Sequence, residues 1–160
     1  MRKIVYAFFV GISIIVNLSS CKSESKKEDA DKVAAPFALK YAKNDIHFTA
    51  YKTSEKIPVG GQFSEIEIVS GGTGNSVKEA INNTEFSIPV SSILTKDSSR
   101  DYKIKKFFFG VMSNTDLLSG KLLISDDSNG IAKITMNGET KDVPFTYTIV
   151  DKIFNMQATI

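Results

Sequence analysis

The chain contains a single cysteine, Cys21, and a single histidine, His47, and these two bound what its side chains can do chemically. His47 lies in Ile46-His47-Phe48-Thr49-Ala50-Tyr51, where it shares the polar side of an alternating run with Thr49 and Tyr51. A solvated strand residue explains that position better than a general base, which must lie within hydrogen-bond reach of a nucleophile or substrate. Gly71-Gly72-Thr73-Gly74 lacks the Gly-Lys-Ser/Thr ending with which a phosphate-binding loop reaches its nucleotide, and reads as a turn. Asp126-Asp127-Ser128-Asn129-Gly130 offers oxygen ligands, but not the spacing or the closing Glu of a helix-loop-helix calcium site. These residues predict no enzyme, no catalytic set, no metal site and no cofactor.

Cys21 has a different chemistry. Arg2 and Lys3 precede an apolar stretch, Ile4 to Val16, interrupted only by Gly11 and Ser13. A membrane-spanning helix needs about 20 apolar residues, so this stretch reads as the core of a secretory signal peptide. The next residues, Leu18-Ser19-Ser20-Cys21, resemble the bacterial lipobox, in which the cysteine thiol receives a diacylglyceryl group before cleavage. The expected product begins at Cys21, carries lipid there and is anchored to a membrane of the bacterial cell envelope, on its periplasmic or surface face. Two or more acyl chains hold a protein stably where one does not. With the only thiol converted to a lipid thioether, neither a Cys–His pair nor a thiolate metal site can form.

Cleavage also changes the charge. The chain has 20 basic and 18 acidic residues, and removing Arg2 and Lys3 leaves 18 of each. A neutral chain lacks the basic footprint of a nucleic-acid binder, so no nucleic-acid partner is expected. Lys22 to Lys32, KSESKKEDADK, has no large apolar side chain to bury and reads as a flexible tether. The expected organisation is a signal peptide over 1–20, the lipidated cysteine and linker over 21–36, and one domain over 37–160.

Within that domain the apolar pattern has period two. Ile46 to Tyr51 alternates. Pro58, Gly60 and Gly61 suggest a turn or bulge before a strand from Gln62 to Val69, and Ser70 to Asn75 suggests a loop. Val77 to Asn82 suits a short helical turn. Phe86, Ile88 and Val90 alternate with Glu85, Ser87 and Pro89, and Lys121 to Ser125 begins another strand. Turns at Asp126–Gly130 and Asn137-Gly138 separate further alternating runs: Ile134 and Met136, then Val143, Phe145, Tyr147 and Ile149, then Phe154, Met156, Ala158 and Ile160. Short strands joined by polar turns predict an all-β, antiparallel barrel or sandwich with one or two short helices. The segment Ser99 to Met112 breaks the alternation. It places Phe107-Phe108-Phe109 behind a charged stretch and reads as a short helix or irregular cap across a barrel mouth.

Three segments, in order, resemble the YceI family of lipid-binding, lipocalin-like barrels. Ile46 to Tyr51 followed by Val59-Gly60-Gly61-Gln62-Phe63 resembles its opening strands. Ser91-Ser92-Ile93-Leu94-Thr95, then Arg100-Asp101, Ile104 and Phe107-Phe108, resembles its most specific stretch, and Ile134 to Val143 resembles a later hairpin. Lipobox lipoproteins with such a domain are of a Bacteroidetes type. The chain departs from the family in having Ala50 or Tyr51 where a histidine is frequent. It also ends at Ile160 within an alternating run, where family members continue for at least another strand, so either a fragment or an unusual closure is implied.

The resemblance implies a non-catalytic protein holding a polyisoprenoid or similar amphiphile inside its barrel. The corresponding wall residues are Phe48, Phe63, Phe86, Ile88, Phe108, Phe145, Tyr147, Phe154 and Met156. For each of them, plain core packing is the competing reading. Arg100 and Asp101 would meet a polar head group, or else pair with each other and cap the short helix. The alternative function is an envelope adhesion or scaffold module whose barrel is filled by its own side chains. The sequence leaves oligomeric state open, a homodimer included.

Overall fold

The structure is a computed structural model that describes residues 35–160. The expected signal peptide, Cys21 and nearly all of the linker lie outside the described residues. The all-β antiparallel architecture expected from the alternation is the one observed. In chain order the strands are β1 (Phe37–Ala38), β2 (Ile46–Lys52), β3 (Ile57–Phe63), β4 (Glu67–Ser70), β5 (Thr73–Gly74), β6 (Glu85–Pro89), β7 (Ile93–Leu94), β8 (Leu117–Ile124), β9 (Asn129–Met136), β10 (Glu139–Val150) and β11 (Ile153–Ala158). Helix α1 (Val77–Ile81) lies between β5 and β6. Helix α2 (Ser98–Lys103) follows β7 and continues as a π turn, Ile104–Phe108, and a 3-10 turn, Phe109–Val111.

A curled six-stranded sheet in the order β11-β10-β9-β8-β6-β4 forms a half-barrel, accompanied by a three-stranded sheet β2-β3-β7 and the small pair β1-β5. Tight hairpins build the C-terminal half of the large sheet. Asn137 and Gly138 have φ of 55° and 73°, the doubly left-handed turn whose twist matches antiparallel strands. Asp151 and Lys152, with φ of 48° and 68°, repeat that geometry between β10 and β11 without a glycine.

Three expectations change: the single strand expected from Gln62 to Val69 is instead the end of β3 and the start of β4, which lie in different sheets. Pro58, Gly60 and Gly61 do not form a turn but lie within β3, because the β2–β3 hairpin closes earlier, around Thr53–Lys56. Proline is tolerated in β3 because β7 reaches only Gln62 and Phe63, leaving Pro58 where the strand has one neighbour. The Ser70–Asn75 loop contains β5, which pairs with β1.

The apolar faces make two clusters. The larger contains Ile81, Phe86, Ile88, Leu122, Ala132, Val143, Phe145 and Tyr147, and lies on the inner face of the six-stranded sheet. The smaller contains Val90, Ile93 and Phe109, with Phe48 and Phe63 packed from one sheet and Leu118 and Met136 from the other. The helical run after β7 thus holds the two sheets together at one end.

Glycines directly opposite phenylalanines shape these faces. Phe48 pairs with Gly61, Phe86 with Gly120 and Phe145 with Gly130. In each case the ring lies across the glycine. A Cβ on Gly120 would stand 2.7 Å from the Phe86 ring tip, and one on Gly61 or Gly130 would overlap the Phe48 or Phe145 ring outright. The ring replaces the missing side chain and covers a backbone that would otherwise weaken the strand.

At Gly61 the obstruction comes from the Phe48 ring rather than from backbone. Gly61→Ala should therefore lower stability by about 1–3 kcal/mol in urea unfolding, the usual cost of overpacking. Adding Phe48→Leu should return part of the loss as a coupling between the two sites. Additive effects of the two substitutions would contradict the ring-over-glycine packing.

Candidate functional site

The inner face of the six-stranded sheet is the best candidate for binding an apolar molecule. Each strand contributes alternate residues. β6 supplies Phe86 and Ile88, β8 supplies Leu118, Leu122 and Ile124, and β9 supplies Ala132 and Ile134. β10 adds Val143, Phe145 and Tyr147, and β11 adds Phe154. At the β10–β11 end three rings meet: Tyr147 and Phe154 have centroids 5.1 Å apart, and Phe145 stands edge-on to Phe154 at 6.4 Å. The Tyr147 hydroxyl donates to the Asp126 carbonyl at 2.6 Å, so its one polar atom is satisfied at the rim.

Of the nine expected wall residues, Phe86, Ile88, Phe145 and Tyr147 are buried in the larger cluster, and Phe154 is half-buried against it. Phe48 and Phe63 meet with tilted rings 5.6 Å apart and pack against the smaller cluster, with Phe63 touching both. Met156 and Phe108 are not gathered in. Met156 is 40% exposed and Phe108 is 51% exposed.

The inward aromatic of the helical run is Phe109, at 6% exposure, which sequence reasoning did not single out. The π turn explains the choice. The Phe109 N–H donates back to the Ile104 carbonyl, five residues earlier, so Ile104 and Phe109 face the core together. Ordinary α-helical spacing from Ile104 would have selected Phe107 or Phe108. Both are instead outside, Phe107 at 62% exposure.

Arg100 and Asp101 also differ from expectation. They form no ion pair with each other among the described residues, and the N-cap of α2 is Asp97, whose carboxylate accepts from the Arg100 N–H at 3.0 Å. Both side chains converge on Thr95, which is 4% exposed. Arg100 Nε donates to Thr95 Oγ1 at 2.9 Å and Nη2 to the Thr95 carbonyl at 2.6 Å. Asp101 accepts from the Thr95 N–H at 2.8 Å and from its hydroxyl. The threonine, arginine and aspartate of the motif therefore fasten β7 to α2 and fix the start of the helical run. Thr95→Val keeps the shape and removes the hydroxyl, leaving both charged groups one partner short. It should cost about 1–3 kcal/mol of stability, while Thr95→Ser should cost less; equal losses in thermal unfolding would contradict this network.

The opposite face of the large sheet is polar. Glu85, Lys121, Lys133 and Asp142 are successive cross-strand neighbours, with Lys121–Glu85 at 3.2 Å and Lys133–Asp142 at 2.8 Å. Lys121 beside it holds the Glu85 carboxyl below the ordinary carboxylate range. A shallow depression of about 280 Å³ lies over this ladder, bordered by Glu85, Lys121, Lys133, Thr135 and Thr140. Another, of about 370 Å³, lies beside the Asn137–Gly138 turn. Of the expected wall residues only Phe86 borders either. His47 is exposed on β2, opposite Gln62.

Asp126 turns its carboxylate inward on its own loop, accepting from the backbone N–H groups of Ser128 and Asn129, both at 2.8 Å, and from the Asn129 amide. The Ser128 N–H, then the Asn129 side chain, hold its carboxyl below the ordinary value of 3.8. A depressed folded value gives stability that is complete above the unfolded pKa and lost as pH falls through the folded one. Asp126→Ala should therefore flatten the acid side of the stability curve below about pH 4 while leaving the neutral-to-alkaline side parallel. An unchanged acid slope would refute the assignment.

No protein-family model matches the sequence, and no curated protein matches it. Among solved structures it is similar to a crystal structure of a mutant CJ YCEI protein with a monobromobimane guest. Identity is 18%, the TM-score is 0.48, and the match covers 63% of this chain and 61% of that one. The match thus spans about three fifths of the solved chain.

Proposed function

We propose that the protein is a non-catalytic binding protein that takes a polyisoprenoid or similar long-chain amphiphile against the inner face of its half-barrel, and that Cys21 anchors it by lipid in the bacterial cell envelope. One observation carries the binding reading: the apolar inner face runs out past its own cover. Phe145 and Tyr147 are buried at 3% and 4%, while Ile149 and Met156, on the same face toward β11, remain 39% and 40% exposed beside half-buried Phe154. An apolar chain laid along that strip would gain about 25 cal/mol per Å² removed from water. The segments resembling the YceI family point to the same class of ligand.

A second reading, an adhesion or scaffold module without a ligand, is favoured by the three phenylalanine rings that lie over glycines and occupy interior space themselves. The two readings separate on one measurement. Organic extraction of the purified protein, followed by mass spectrometry, should release an isoprenoid-like lipid in near-stoichiometric amount. Met156→Glu, which places a charge on the apolar strip, should reduce that yield without unfolding the domain. Repeated recovery of lipid-free, fully folded protein would support the ligand-free module and refute the carrier.

A further inference from the structure

The helical run that joins the sheets exposes more apolar surface than its packing role requires. Tyr102 is 56% exposed, Phe107 62%, Phe108 51% and Val111 76%. Solvent-facing aromatics gathered on one short element mark an interaction surface more often than chance. Basic residues accompany them. From Lys96 to Val111 the chain has five basic residues (Lys96, Arg100, Lys103, Lys105, Lys106) and two acidic ones (Asp97, Asp101), a net +3. Over 21–160 the totals are 18 and 18, so the remainder has 13 basic and 16 acidic residues, a net −3.

Charge and apolar surface are also joined locally. Lys106 Nζ donates to the Tyr102 hydroxyl at 2.8 Å and lies 5.3 and 5.4 Å from the centroids of the Tyr102 and Phe107 rings. Tyr102 and Phe107 meet edge-to-face at 6.4 Å. The same run is fastened from behind by Phe109 in the core and by Thr95 with Arg100 and Asp101, so the exposed rings sit on an element that is held in place.

We infer that this aromatic–lysine surface, Tyr102, Lys103, Lys106, Phe107, Phe108 and Val111, docks onto an anionic lipid bilayer surface. A tyrosine such as Tyr102, with an apolar body and a polar edge, settles at the headgroup level, phenylalanines beside it insert their apolar rings just below, and neighbouring lysines favour anionic headgroups. The π turn has a direct consequence here: by sending Phe109 inward it leaves Phe107 outward beside Lys106, and Phe108 exposed. Docking does not depend on an interior ligand and goes beyond the binding reading above.

The chain has no tryptophan, so one introduced at position 107 is a unique fluorescent reporter. The test uses the full chain, purified as the host cell processes it, with Phe107→Trp. A second variant, Val69→Trp, reports an exposed site on β4 outside the run. Each is mixed with vesicles of phosphatidylcholine alone or with phosphatidylglycerol, containing spin-labelled lipid as quencher. The expected result is a blue shift and lipid quenching at position 107 on anionic vesicles, weaker effects on phosphatidylcholine, and little at position 69. Lys103→Gln with Lys106→Gln should weaken the response on anionic vesicles by roughly 5-fold per lysine. Because these positions are exposed, thermal unfolding should be unchanged in every variant. A position-107 tryptophan that stays in water on both vesicles overturns the inference. So does quenching that is equal at 69 and 107, since a tether alone would produce it.

Discussion

The placement of a phenylalanine ring over a glycine on the neighbouring strand is the constraint on which the rest of this fold depends. It occurs between β2 and β3, β6 and β8, and β9 and β10. Each pair works in one register only. Sliding a strand by one residue would turn every inward residue outward. The polar face inherits the same register. Phe86 opposite Gly120 makes Glu85 the partner of Lys121, and Phe145 opposite Gly130 makes Asp142 the partner of Lys133. The exposed ion pairs contribute little stability themselves. Their alignment is a consequence of the aromatic pairs behind them.

The same packing shapes what the interior can offer. Rings lying flat across the sheet cover the backbone and occupy the volume nearest to it, so the β6, β8 and β9 region is a closed core. Toward β11 Tyr147 and Phe154 meet each other rather than glycines, and the apolar face continues into Ile149 and Met156, which stay part-exposed among the described residues. Core and candidate binding strip are therefore two ends of one surface. They differ in whether a strand or solvent covers them, not in residue type.

That continuity explains what could be read in the sequence. Alternation in Val143, Phe145, Tyr147 and Ile149 identified both the strand and its inward face, since period two is a local property. Asn137-Gly138 identified its turn for the same reason. Gly60 and Gly61 misled, because punctuation by glycine is local whereas the ring covering Gly61 comes from another strand. Arg100 and Asp101 stand out through the resemblance of their segment to the YceI family, yet their shared partner Thr95 emerges only when β7 and α2 come together. Phe108 enters the expected wall through the Phe107-Phe108 pair of the family resemblance, whereas the i→i+5 bond of the π turn directs Phe109 inward instead.

The neutral balance of residues 21–160 argues against a nucleic-acid partner, since at long range a neutral chain exerts little field. Neutrality of a sum does not require neutrality of a surface. Screening limits exposed charges to a distance of about 8–10 Å, so a molecule approaching the helical run meets chiefly the charges close to it. Of these, Asp97 is engaged in the N-cap and Asp101 with Thr95, while Lys103 and Lys106 remain exposed beside the rings. The two carboxylates are thus committed to building the run, as are Arg100 with Thr95 and Lys105 with the Ser91 carbonyl, while Lys103 and Lys106 are left on its outer side. The segregation that matters follows from which charges the local structure consumes, and it is absent from any count over the whole chain.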